Sequence, residues 1–248
     1  MDSPSRMDAS LPVYKVNHAT LQIIIDTMGH PEEYNVVRCE LLLVGPGDEG
    51  KIADQRYINS RSLVGNLVLS SSVTSIGWKA FFGCTGLETA EIPDTVIDIG
   101  VGGFAMCTGL KSVEISAVDF IGSYAFYGCT QLGSLEIPTS VVTIEGSTFR
   151  GCSGLQSVGI PDSVTTIGEG AFFGAGLESV VIPASVTVIG AYAFEGCQSL
   201  KSVVIPDSVT SIGNRAFRGC AGLESVDISS ATTIGDDAFD ESVRIIRP

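Results

Sequence analysis

The sequence predicts an elongated solenoid with a parallel β-sheet along one side, and three observations support this fold class. A segment of the form Ile-Gly-x-x-Ala-Phe-x-Gly-Cys-x-x-Leu-x-Ser-Val-x-Ile-Pro recurs eight times between about residue 64 and the end of the chain. Its leucines recur every 22 or 23 residues, a period typical of solenoids. Each copy is also too short to enclose a core of its own, so it must bury its apolar side against neighbouring copies.

Within one copy, alternating apolar residues indicate a strand. In the copy that contains Leu177, the residues Val180 and Ile182 alternate with polar or variable positions, as in a strand with one buried face. Pro183 lacks an N–H group and ends the strand. We therefore expect eight parallel strands near residues 64–69, 87–92, 110–115, 132–137, 155–160, 177–182, 200–205 and 223–228.

The rest of each copy is predicted to return the chain to the next strand. A second short extended segment follows the proline, and a glycine permits the bend after it. The stretch Ala-Phe-x-Gly is then expected to form a helical turn that directs its phenylalanine inward. The phenylalanines would stack as one internal row: Phe81, Phe104, Phe126, Phe149, Phe172, Phe194, Phe217 and Phe239.

Six of the seven cysteines occupy one repeat position, three residues before the repeat leucine. Residues at one position of a solenoid stack about 4.8 Å apart, with Cβ vectors too nearly parallel for a disulfide. Since free cysteine packs as a small hydrophobe, we expect an internal row of reduced thiols rather than disulfides or metal ligands. No CxxC pair occurs, and His18 and His30 both precede the repeats, so no zinc site or other cofactor is predicted.

The repeat pattern divides the chain into three parts. Residues 1–10 are expected to be disordered, residues 11–62 to form an N-terminal cap or small flanking unit, and residues 63–248 to form the eight-repeat solenoid. Solenoids need caps because both ends expose apolar surface and unpaired backbone groups. Residues 242–248 are predicted to be a C-terminal capping strand. Within the N-terminal part, residues 17–29 fit either a short helix or a strand.

The repeated motif, legible from Ile76-Gly77 through Ile228-Ser229, resembles the BspA-like, or Treponema-type, leucine-rich repeat. The resemblance implies an α/β-type leucine-rich repeat solenoid that is right-handed. Its parallel β-sheet would form the concave face, with short helical turns and extended segments on the other sides. The resemblance also implies protein-binding roles, including bacterial surface adhesion. The sequence departs from the pattern at Ser116 and Ser229, which replace proline, and at Glu145, which replaces glycine.

Composition restricts the classes of partner. The formal net charge of −14 repels phosphate backbones and anionic headgroups, so nucleic acid and membrane surfaces are not expected partners. No apolar run is long enough to span a membrane, so membrane insertion is not expected. Residues 1–6 lack the adjacent apolar stretch of a signal peptide, and a cytoplasmic location is therefore favoured.

One segment could carry chemistry. Residues 41–52 combine an apolar run with a glycine-rich stretch that ends at Lys51, a spacing found in phosphate-binding loops. Ile52 stands where such loops place a Mg²⁺-binding hydroxyl, and Asp48 and Glu49 put two carboxylates inside the loop. A glycine-rich turn between two cap strands is therefore favoured over a nucleotide site. No catalytic arrangement of serine, histidine and carboxylate is recognisable, and the chain is predicted not to be an enzyme.

The candidate binding surface lies where outward residues vary between copies while core residues do not. Four residues after each leucine, a side chain projects from the exposed face of the predicted sheet. These side chains are Glu91, Glu114, Glu136, Val181, Val204 and Asp227, with Gly159 between the two groups. The acids would steer a basic segment of a partner protein, and the valines would supply desolvated contact. A solvated acidic face that only limits association would explain the same acids.

The sequence thus predicts a non-catalytic scaffold that binds a partner protein, with a basic segment, on the concave face of the solenoid. A surface or adhesion-type structural repeat protein is the alternative. A nucleotide-binding N-terminal unit is a remote second alternative.

Overall fold

The computed structural model describes residues 14–17, 41–44, 51–52, 65–69, 71 and 73–247. These residues form a parallel β-solenoid in which each copy contributes a longer strand, a two-residue strand and a hydrogen-bonded turn. Across the described ranges there is no helix. Each strand lies beside the equivalent strand of the next copy, so the copies stack as successive rungs.

The longer strands form what we call the long-strand ladder. Their pairing is parallel and follows the repeat, with Ala90 opposite Val113 and Val180 opposite Val203. The eight strands predicted from the repeat are confirmed, each within its expected segment. Hydrogen bonds join the first five strands into one sheet and the other six into pairs. The strands are Tyr14–Asn17, Leu41–Val44, Gly65–Leu69, Leu87–Glu91, Ser112–Glu114, Ser134–Glu136, Ser157–Gly159, Ser179–Val181, Ser202–Val204, Ser225–Asp227 and Arg244–Ile246.

The second strands form the short-strand ladder, which is also parallel. In each strand after the first, the isoleucine faces the core. Ile99 and Ile167, for example, are fully buried. The residue before it faces outward. These strands are Lys51–Ile52, Ser75–Ile76, Asp98–Ile99, Phe120–Ile121, Thr143–Ile144, Thr166–Ile167, Val188–Ile189, Ser211–Ile212 and Thr233–Ile234.

Stacked phenylalanine rings fill the interior, as the sequence predicts. The rings of Phe104 and Phe126 lie 5.7 Å apart between centroids with planes 1° apart, and those of Phe194 and Phe217 lie 5.0 Å apart. The seven rings from Phe81 to Phe217 are fully buried. Parallel rings at this spacing bury their faces against each other and bring the copies into close contact.

A row of buried, free thiols runs beside the rings, which confirms the expected cysteine row. The Cys152 thiol donates a hydrogen bond to the carbonyl oxygen of Phe126 at 3.1 Å, and four other cysteines make the equivalent bond. In the copy that has lost a residue, Ala175 takes the place of cysteine and is equally buried. The thiol is therefore a packing group with one hydrogen bond.

The expected helical turn is wrong, and the hydrogen bonds give the reason. Successive N–H groups of the turn alternate between an acceptor in the same turn and an acceptor in the next copy. Ala80 donates to the carbonyl of Gly77 in its own turn, whereas Phe81 donates to that of Gly103 in the next copy. Each turn also holds residues with positive φ, such as Lys79 at 50° and Gly83 at 71°. An α-helix admits neither feature. The neighbouring copy supplies acceptors that a helix would otherwise provide internally.

At the C-terminal end of the stack, a side chain replaces the main-chain acceptor of the hydrogen bonds between turns. In earlier copies, the second residue with positive φ in each turn donates its N–H to a main-chain carbonyl of the next copy, as Gly196 does to Arg218. Gly219 donates instead to Oδ2 of Asp240 at 2.9 Å. A carboxylate thus satisfies the backbone donor where the regular rungs stop.

The phenylalanine row can be tested at Phe172, whose ring lies between those of Phe149 and Phe194. The variant Phe172→Ala should lower the free energy of unfolding by about 3–5 kcal/mol, because it leaves a cavity between two rungs. A urea titration followed by circular dichroism measures the loss. The adjacent Phe173→Ala is the matched control and should cost clearly less, because its ring is partly exposed. Equal losses for the two variants would contradict the assignment of Phe172 to the core.

The thiol row can be tested through pH. Burial raises the pKa of the Cys152 thiol to about 12 from 9.0, although a backbone hydrogen bond at Cys129 offsets part of the effect. The unfolded chain loses this proton near pH 9, whereas the folded chain keeps it. Its stabilising contribution is therefore complete below about pH 9 and declines between about pH 9 and 12, by about 1.4 kcal/mol per pH unit.

The measurement compares unfolding free energies of the parent and Cys152→Ala at several alkaline pH values. The parent should lose stability more steeply, because all other titrating groups are common to both proteins. Alanine is a suitable replacement, since Ala175 occupies the same repeat position. Parallel pH profiles would show that the Cys152 thiol titrates alike in both states.

Candidate functional site

The residues predicted to bind a partner lie in one row on the outer face of the long-strand ladder. We call this set the acid–valine row: Glu91, Glu114, Glu136, Val181, Val204 and Asp227. Its members are all exposed. Strand register places Glu91 opposite Glu114, Val181 opposite Val204, and Glu136 opposite Gly159. The structure therefore brings together the residues that the sequence singles out.

Strand alternation exposes this row. The residues just before its members, such as Val113, Val180 and Val203, point into the core and are buried. The next side chain along each strand must then point outward. As a result Val181 is 67% exposed and Val204 is 59% exposed, the largest values for any large apolar side chain that the structure describes. Two adjacent exposed valines form a small dry contact area.

The acids of the row lie close to one another, and no basic side chain among the described residues pairs with them. Among the described residues, no lysine or arginine forms an ion pair with Glu91, Glu114 or Glu136. The nearby Lys111 pairs instead with Glu88, at 2.9 Å between Nζ and Oε2. Like charges directly opposite each other destabilise a sheet. Within the described part of the chain, these carboxylates are exposed to solvent and have no cation of their own.

Gly159 has a defined role at the middle of the row. A Cβ atom at this position would overlap the Glu136 carboxylate, which lies across the glycine. The missing side chain therefore leaves the space that the carboxylate of the preceding rung occupies. It also separates the acidic part of the row from the two valines.

A cavity of about 640 Å³ opens on the turn side, beside the copy that has lost a residue. Ser153 and Gln198 border it from the rungs on either side, and Gly174 and Gly176 line it between them. A Cβ atom on Gly176 would overlap the carbonyl oxygen of Ser153, so this position requires glycine, as do the equivalent positions Gly109 and Gly154 of full-length copies. The requirement for glycine here is therefore common to several copies and does not arise from the deletion.

The sequence prediction missed the exposed large apolar residues of the turns. Trp78, Tyr124 and Met106 are 44%, 49% and 37% exposed, respectively. Met106 lies in the Ala-Phe-x-Gly stretch that was expected to be helical, and Trp78 and Tyr124 lie just before it; only the phenylalanine was assigned a direction there. The departures of these positions from their equivalents in other copies are visible in the sequence, but their exposure is not.

Other predicted features fall elsewhere. The glycine-rich segment 45–50, His18, His30 and Cys39 lie outside the described residues. Within the described part of the chain, no group of three or more His, Cys, Asp or Glu side chains could hold a metal ion. That part of the chain also contains no helix long and apolar enough to cross a membrane.

The family follows from a comparison with known sequences. The profile described as "BspA type Leucine rich repeat region (6 copies)" matches residues 50–172 and 119–246. The chain belongs to the BspA-type leucine-rich repeat family. This confirms the resemblance inferred from the motif. No curated protein sequence matches the chain.

Solved structures of similar proteins agree with this family. A leucine rich cell surface protein from Faecalibacterium prausnitzii is 30% identical with a TM-score of 0.62, and the match covers 77% of this chain and 62% of that protein. The chain therefore spans less than two thirds of that relative. The T. pallidum leucine rich repeat protein is 29% identical with a TM-score of 0.51, and the match covers 70% and 74% of the two chains. A leucine-rich repeat protein from Bacteroides ovatus, 24% identical with a TM-score of 0.50 over 85% of this chain and 67% of that chain, shows the fold alone.

Charge repulsion within the acid–valine row gives a stability prediction. The variant Glu114→Lys should raise the free energy of unfolding by about 0.2–1 kcal/mol, because it replaces a like-charge pair with Glu91 by an opposite-charge pair. Thermal or urea unfolding at low and high salt measures the effect, which salt should reduce. The control Asp207→Lys makes the same charge change at an exposed position outside the row. An equal gain for both variants would mean that net charge, rather than the row, is responsible.

Proposed function

We propose that this protein is a non-catalytic interaction scaffold that binds a basic segment of a partner protein along the acid–valine row. The observation that carries the proposal is the arrangement of the row itself. Three carboxylates on consecutive rungs lie at one end, the two most exposed valines that the structure describes follow after Gly159, and Asp227 lies on the rung beyond them. The leucine-rich repeat family is consistent with a repeat scaffold.

The row suits an extended segment that runs across the strands. Lysine and arginine side chains would neutralise Glu91, Glu114 and Glu136, and would remove the repulsion between these acids. An apolar residue further along the segment would cover Val181 and Val204. We infer from the leucine-rich repeat family that this face is the concave side of a right-handed solenoid. A concave surface would contact more of a bound chain than a flat one does.

A surface-exposed structural or adhesive role is the second candidate. It is favoured by the 30% identity to a protein described as a leucine rich cell surface protein. Protease treatment of intact cells distinguishes the two roles, because an externally displayed chain is cleaved and an internal one is protected.

The scaffold proposal can be tested with quantitative capture from a native lysate. Compared with the parent, a variant with Glu91, Glu114 and Glu136 all changed to Lys should lose its specific partner and reverse the salt dependence of capture. Val181→Asp should mainly speed dissociation of that partner, measured on a surface-immobilised chain.

Matched control variants distinguish an effect of the row on binding from an effect of net charge. Changing Asp162, Glu169 and Asp207 to Lys shifts the net charge by the same amount at exposed sites outside the row. Val142→Asp is the control for Val181→Asp, because Val142 is 54% exposed but lies beside the short-strand ladder. If partner binding by the row variants equals that by the controls, the acid–valine row is not the binding site.

A further inference from the structure

The turns of the first three copies differ in chemistry from the later turns. These turns comprise residues 77–83, 100–106 and 122–128, and they contain no acidic residue. Four of the five later turns carry at least one acidic side chain, such as Glu145, Glu169 or Glu195, and the fifth, residues 213–219, carries two arginines. In a chain of net charge −14, an acid-free surface of three adjacent rungs is a local exception.

Apolar side chains occupy the outer positions of these three turns. We call them the turn patch: Trp78, Phe82, Val101, Met106, Tyr124 and Tyr127. Trp78, Val101, Met106 and Tyr124 are exposed, and the other two are partly exposed. The rings of Tyr124 and Tyr127 meet edge to face, with centroids 6.1 Å apart. Clustered exposed aromatic residues of this kind characterise interaction surfaces.

Met106 shows that the patch is not required by the fold. It has a φ of 61°, a left-handed conformation that is costly for a bulky side chain. The equivalent residue in the preceding turn is Gly83, and glycine also stands there in five of the later copies. The Met106 sulfur lies against Gly128, where a Cβ atom would come within 2.7 Å of it. A strained residue that exposes its side chain, where glycine would suffice, points to a function.

Two cations border the patch and indicate the charge of its ligand. Nζ of Lys79 lies 5.0 Å from the ring centroid of Trp78 and 5.2 Å from that of Phe82. On the far side, Cζ of Arg150 lies 4.2 Å from the ring centroid of Phe173. Cation–π contacts hold both charges close to apolar surface, where they interact more strongly with a carboxylate than in open water.

We propose that the turn patch is a second interaction surface, which binds an acidic and apolar segment of a partner protein. Its aromatic residues and Met106 would cover the apolar side chains of that segment. Lys79 and Arg150 would receive its carboxylates. The proposal does not rest on the acid–valine row, which lies on a different side of each rung and has the opposite charge preference.

Trp78 provides a direct probe, because it is the only tryptophan in the chain. A random peptide library displayed on phage is selected against the full-length protein, and enriched peptides without tryptophan are synthesised. Their binding is followed by Trp78 fluorescence at low and high salt. The enriched peptides should combine acidic with apolar residues, change the Trp78 emission, and bind more weakly as salt increases.

Variants test whether the peptide binds at the turn patch, and unfolding measurements show whether a variant has lost stability. Met106→Gly and Tyr124→Ser should each raise the peptide Kd by about tenfold or more, as expected of central contact residues. Met106→Gly should not lower the urea midpoint, because glycine adopts the left-handed backbone readily. The matched control is Tyr192→Ser, since Tyr192 has the same repeat position and a φ of 60°, against 59° for Tyr124, but lies outside the patch. It should leave the peptide Kd unchanged.

Several outcomes would overturn the proposal. They are enrichment of no peptide, enrichment of basic peptides, or binding that Met106→Gly leaves intact. Sedimentation over a range of protein concentrations covers one further case. If the protein self-associates and Met106→Gly abolishes that association, the occupant of the patch is a second copy of this chain.

Discussion

The stacking of phenylalanine rings between neighbouring copies is the interaction on which this structure depends. Phe104 has Phe81 on one side and Phe126 on the other, with both rings nearly parallel to its own. Because no copy can bury its ring alone, the free energy of folding resides largely in contacts between copies. The turn hydrogen bonds follow the same rule, since alternate N–H groups find their acceptors on the next rung.

This constraint leaves only certain positions free to vary. Inward positions must repeat, because a change of volume in one rung leaves a cavity or a clash against the next. Outward side chains border solvent, which accommodates most changes of size and polarity, so these positions can differ from rung to rung. Both candidate surfaces arise there: the acid–valine row from strand positions, and the turn patch from turn positions. A chain that varies its residues only at outward positions can thus present several surfaces without altering its core.

The strands, the core rows and the acid–valine row could be predicted because they follow from linear patterns. Strand alternation buries Val180 and exposes Val181, whatever the later folding of the turn. The turn could not be predicted in the same way. Ala-Phe-x-Gly fits a helical turn locally, and only the acceptors on the neighbouring rung explain why Lys79 and Tyr124 adopt positive φ. Since the outward directions within the turn depend on that backbone, the turn patch also escaped prediction.

The two surfaces can keep opposite charge preferences because the buried core lies between them. Exposed charges separated by more than about 8 Å are largely screened at physiological ionic strength. At the turn patch, nearby charges such as those of Lys79 and Arg150 therefore outweigh the distant carboxylates, although the whole chain carries −14. At low ionic strength, the distant carboxylates would instead oppose the approach of an acidic segment and assist that of a basic one. The same rungs can thus bind two partners of opposite charge, provided that salt screens the charges of each surface from the other surface.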